Sequence, residues 1–95
     1  MPDDAVRPDV QAQGQARRTP LYRVLLHHDG LHIARYVAQV LQEVFYFNRS
    51  GAEEITSEAL YKGVALCAIE PLEQANSHAE KLSLAKLTAT IELEG

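Results

Sequence analysis

The order of apolar and polar residues divides the chain into segments of two different periods. Leu21-Tyr22-Arg23-Val24-Leu25-Leu26 is too dense in branched and aromatic residues for an exposed edge, and predicts a covered strand. From about Ile33 to about Phe45, the apolar residues Tyr36, Val37, Val40, Leu41, Val44 and Phe45 recur at helical spacing. Arg35, Gln39, Gln42 and Glu43 fall on the other side. Asn48-Arg49-Ser50-Gly51 breaks the pattern. Ser50 with Glu53 three residues on has the form of a capping box, which predicts a second helix from about Gly51 to Tyr61. That helix should turn Ala52, Ile55, Ala59 and Leu60 inward, with Gly63 as a left-handed cap after its last turn. Val64–Ile69 reads as a strand buried on both faces. Pro71 suits the first turn of a third helix, with Leu72, Ala75, Ala79 and Leu82 on one side and Glu73, Gln74, His78 and Lys81 on the other. Leu87–Glu94 alternates with period two, the mark of a strand with one wet face.

The order β-α-α-β-α-β predicts a small α+β domain over residues 20–95, with three strands and three helices packed on one face. Residues 1–19 carry prolines, glutamines and charges with almost no bulky apolar side chain, so they are expected to form a flexible arm. Within that arm Asp3, Asp4 and Asp9 offset Arg7, Arg17 and Arg18, which leaves the chain's net charge of −4 on the domain. A mildly acidic body argues against nucleic acid or an anionic membrane as partner. No apolar run approaches the length of a spanning helix, and the N-terminus lacks the apolar core of a signal peptide. The single Cys67 has no internal disulfide partner, which fits a cytoplasmic location, and its apolar neighbours point to burial.

Polar chemistry concentrates in His27-His28-Asp29-Gly30-Leu31-His32, between the first strand and the first helix. A strand-to-helix junction lies at the surface and presents unpaired backbone N–H groups, so a small binding site is expected there. Imidazoles and a carboxylate are suitable zinc ligands, but adjacent His27 and His28 point to opposite sides of an extended strand end, and no metal or other cofactor is expected. Thr56 with His28 and Asp29 is the one nucleophile-and-base set that can be assembled, too little to expect catalysis. Glu53, Glu54 and Glu58 read as a solvated helix face.

In order and in register, the residues from about Leu21 to about Glu80 resemble the ClpS family, the adaptors of ClpA/ClpC-type AAA+ unfoldases. The resemblance is carried by Leu21–Leu26, the acidic turn, Tyr36-Val37-x-x-Val40-Leu41-x-x-Val44-Phe45, Ala52, Tyr61-x-Gly63-x-Ala65-Leu66-Cys67, Glu73 and Ala75. Ala89-Thr90-Ile91-Glu92 matches the family's closing strand after a shorter connection. The resemblance implies an antiparallel sheet and a monomeric, non-enzymatic adaptor. Such adaptors capture proteins by their first residue and deliver them to ATP-dependent proteolysis. It also implies a polar set for the free α-amino group: an Asn and an Asp in the turn, and a His on the second helix. Here these positions are His28, Asp29 and Leu60.

The resemblance further implies an apolar pocket for the first side chain. Ala34 stands in place of its gate Met, Thr56 and Ala59 replace larger walls, and Val37 and Leu87 match. The pocket is therefore expected to be wider than in the family, or else filled by Leu31, Ile33 and Leu60. On the third helix, Glu73 and His78 fall at positions that face the unfoldase's N-terminal domain, His78 standing where the family has a Lys. Two other readings remain open: a degenerate relative that docks without selecting substrates, and a ligand or metal sensor built on His27, His28 and His32.

Overall fold

The computed structural model describes residues 19–95. The predicted arm, apart from Thr19, lies outside the described residues. The element order is β1 (Leu21–His27), α1 (Ala34–Phe45), α2 (Arg49–Lys62), β2 (Val64–Pro71), α3 (Leu72–Leu84) and β3 (Thr88–Leu93). This is the predicted β-α-α-β-α-β order. The strands form one antiparallel sheet in the order β2-β1-β3, so the first strand is central and pairs on both sides.

The core lies between this sheet and the helices. Val24 and Leu26 of β1 are buried with Leu41 of α1, Ala52 and Ala59 of α2, and Ala75 and Leu82 of α3. Alternation along β1 sends Val24 and Leu26 to that face and leaves Leu25 half-buried on the other. Full burial of a Leu or Val side chain stabilises by about 1.5–3 kcal/mol, so these few large residues hold the layers together.

Several expectations need correction. β2 is an edge strand, and its Leu66 and Ile69 are exposed rather than buried. Helices cover only one face of the sheet, so apolar density did not mean double burial. A bulge separates the pairs Val24–Ala68 and Leu25–Leu66, and buried Cys67 is the extra residue. Burial pushes its thiol pKa up to about 12, reinforced by the charges of Glu58 and Glu70. Helix α2 starts earlier than predicted: Asn48, not Ser50, is its N-cap, and its side-chain oxygen accepts from the Gly51 N–H at 2.7 Å. Asn caps as well as Ser does, and the earlier start lets Arg49 approach Glu53 one turn on at 3.3 Å. Leu60 and Leu72, assigned to inner faces, are both partly exposed. Gly63 does cap α2 with φ +85°, in the left-handed region that glycine enters without a Cβ clash.

Candidate functional site

The turn between β1 and α1 is shaped by its own side chains. Gly30 takes φ +73° and reverses the chain. Asp29 Oδ1 accepts the Leu31 N–H at 2.8 Å, and Oδ2 lies 2.9 Å from His32 Nδ1. A carboxylate only accepts, so Nδ1 is assigned the proton and Nε2 becomes the ring's open acceptor when the imidazole is neutral. The Leu31 N–H bond, helped by the bond and charge of His32, holds the Asp29 carboxyl below its ordinary 3.8 despite some desolvation. The His32 ring stacks on Tyr36 with centroids 5.3 Å apart, and the Tyr36 hydroxyl donates to the Ala85 carbonyl at 2.7 Å. The turn is thus tied to the connection between α3 and β3. His28 anchors by its backbone, donating to the Gly63 carbonyl at 3.0 Å, and its side chain is exposed.

Beside this turn a pocket opens between α1 and α2, lined by Ala34, Val37, Thr56, Ala59, Leu60 and Leu87 together with His28, Asp29 and His32. Its cavity volume is about 20 Å³, room for roughly one water molecule. The small side chains have therefore not produced a wide cavity; the walls stand close. Nor do Leu31 and Ile33 fill the pocket as expected. They are 82% and 63% exposed, directed to solvent where the chain reverses at Gly30 and enters α1 through the extended Ile33 N-cap. Leu60 does line it, although 44% exposed.

Thr56 is buried and its hydroxyl donates to the Ala52 carbonyl one turn back, at 2.8 Å. That bond uses its only donor, so it offers the pocket less polarity than its formula suggests. His27 Nε2 lies 2.7 Å from Thr90 Oγ1, while His32 faces Asp29. Among the described residues no three His, Cys, Asp or Glu side chains converge as metal ligands. No described helix is long and apolar enough to cross a membrane.

On α3, Glu73 is exposed in the first turn. His78 departs from its predicted outer face: its Nδ1 lies 2.6 Å from Glu70 Oε2, and its ring packs against Phe45 at a centroid distance of 4.5 Å. Glu70 and Phe45 thus hold His78 inward, and its i, i+5 spacing from Glu73 puts the two on different faces. The sequence points to His32 as part of a ligand or metal sensor, yet in the structure it is the side chain that holds Asp29. An Asp followed three residues later by a His, across a Gly, carried the signal of an Asp-capped turn.

Residues 17–90 match the family model described as ATP-dependent Clp protease adaptor protein ClpS. The chain is 38% identical over 79 residues to the ATP-dependent Clp protease adapter ClpS of Gloeobacter violaceus, covering 82% of this chain and 85% of that protein. It is 35% identical over 95 residues to the chloroplastic adapter CLPS1 of Chlamydomonas reinhardtii, covering 99% of this chain and 59% of the longer algal protein. The structure of Agrobacterium tumefaciens ClpS2 bound to L-phenylalaninamide superposes with a TM-score of 0.77 at 28% identity, covering 81% of this chain and all of that one.

Proposed function

This chain belongs to the ClpS family of ATP-dependent Clp protease adaptors, and we propose that it holds the first residue of substrate proteins at the Asp29 turn and delivers them to a ClpA/ClpC-type unfoldase. The observation that carries this reading is a carboxylate, Asp29, fixed by the Leu31 N–H and by His32 beside an apolar pocket at a helix junction. A free N-terminus presents an ammonium next to a side chain. The ammonium has donors only and needs acceptors with a negative charge at hand, while the side chain needs apolar walls. L-Phenylalaninamide, the ligand named for the Agrobacterium protein, has both features: a free α-amino group and a benzyl side chain.

In this reading Asp29 supplies the charge. His32 fixes its carboxylate and offers Nε2 as an acceptor, and His28 offers another in place of the Asn that the family has there. Val37, Ala59, Thr56 and Leu87 receive the first side chain after the walls part at the half-exposed Val37 and Leu60. Glu73 contacts the unfoldase's N-terminal domain on a separate face. The chain acts by binding and handing over, with no bond made or broken.

The test is a titration with short peptides that begin with Phe, Leu, Ile, Trp or Ser, each against its acetylated twin. A free amine should bind roughly tenfold or more tighter than the acetylated form, the worth of a hydrogen bond to a charged group. Asp29→Ala should remove that difference. The Asp29 carboxyl is held below 3.8, so it stays ionised well below neutral pH. Its negative charge therefore remains available to the ammonium in mildly acidic buffer. The narrowness of the pocket and the loss of the α2 acceptor at Leu60 favour the second reading, a relative that docks on the unfoldase and competes there. Equal binding of free and acetylated peptides would establish that reading instead.

A further inference from the structure

A second concavity continues the pocket. A groove of about 760 Å³ runs between α1 and α2, its lining including Ala34, Arg35, Ala38, Gln42, Arg49 and Thr56. Ala34 and Thr56 line both this groove and the pocket, so the two meet there. We infer that the groove carries residues two to four of the captured chain and favours acidic side chains among them, an inference that rests on the N-terminal-residue reading above.

Length, chemistry and charge support this occupant. Along α1 the lining runs from Ala34 to Gln42, about 12 Å at 1.5 Å per residue, which an extended chain of three or four residues spans. The alanines at positions 34 and 38 leave room for a backbone to lie close. Gln39, Gln42 and Ser57 add side chains that both donate to and accept from peptide groups. The groove has two guanidinium groups and one carboxylate. Arg49 approaches that carboxylate, Glu53, at 3.3 Å with both side chains largely exposed. Arg35 has no ion-pair partner among the described residues, and it follows Ala34 directly at the junction with the pocket. A residue just after the first one passes Arg35, and the fourth approaches Arg49. The whole chain is acidic, so these two arginines mark a local exception to its charge.

The experiment is fluorescence anisotropy on labelled eight-residue peptides that share a first Phe and carry Glu, Gln or Lys at positions two to four. The Glu series should bind tighter than the Gln series by about threefold, the size of one solvent-screened ion pair, and the Lys series weaker. Raised salt should compress the spread. Arg35→Glu should invert the order at position two, and Arg35→Gln should flatten it. Both variants lie on an exposed helix face and should keep the distinction between free and acetylated first residues. Equal affinity for all three series, or an order that Arg35→Glu leaves unchanged, overturns the inference while the first-residue reading stands. Loss of any preference for free over acetylated peptides would overturn both.

Discussion

Leu60 lines the pocket at the position where the family has a histidine acceptor, and it is exposed enough to be exchanged without opening the core. Leu60→His should therefore restore an acceptor beside the ammonium. The expected gain for free-amine peptides is about 1.5 kcal/mol, close to tenfold, with acetylated peptides unchanged in the same titration. No gain would mean that the ammonium does not sit at this wall. Asp29 adds a stability effect of known sign. Its folded-state pKa lies below the ordinary 3.8, so its contribution to stability is present above that value and is lost as pH falls through the folded value. The residues of the pocket wall were legible in sequence because resemblance located them. Leu31 and Ile33 were misread because a turn's outward and inward positions depend on the positive φ of Gly30, which no periodicity encodes. The role of His32 was missed for a related reason: a histidine beside two others reads as a metal ligand until geometry gives it a carboxylate partner.

At the scale of elements, the helices and strands were legible wherever one face of each met the core. Val40, Leu41 and Val44 on α1, and Ala75 and Leu82 on α3, are buried as their spacing required. The strand β2 was overestimated because apolar side chains on an uncovered sheet face look the same in sequence as those inside. The start of α2 was displaced because Asn48 and Ser50 are both good caps, and only the geometry distinguishes them. Asn48→Ala should lower stability by about 1 kcal/mol, Asn48→Ser should retain most of it, and Ser50→Ala should change little, as read from denaturant midpoints. A loss at Ser50 with none at Asn48 would restore the capping box that the sequence suggested.

On the scale of the whole molecule, the site and the suggested docking face belong to different parts of one small framework. The Asp29 turn joins β1 to α1 and its pocket opens between α1 and α2, while Glu73 projects from the first turn of α3. Helix α1 packs against α2 and α3, and α3 packs against β1, so the pocket and the Glu73 face belong to one framework yet share no residues. An adaptor that hands over what it captures needs that separation, and degradation of a defined reporter tests it. A reporter with a free N-terminal Phe is incubated with a ClpA/ClpC-type unfoldase, its protease and ATP, with and without the full chain. The chain should accelerate degradation of this reporter and leave its acetylated form unaffected, and Asp29→Ala should remove the acceleration. Equal rates with and without the chain, or slowing of both reporters alike, would contradict the adaptor reading.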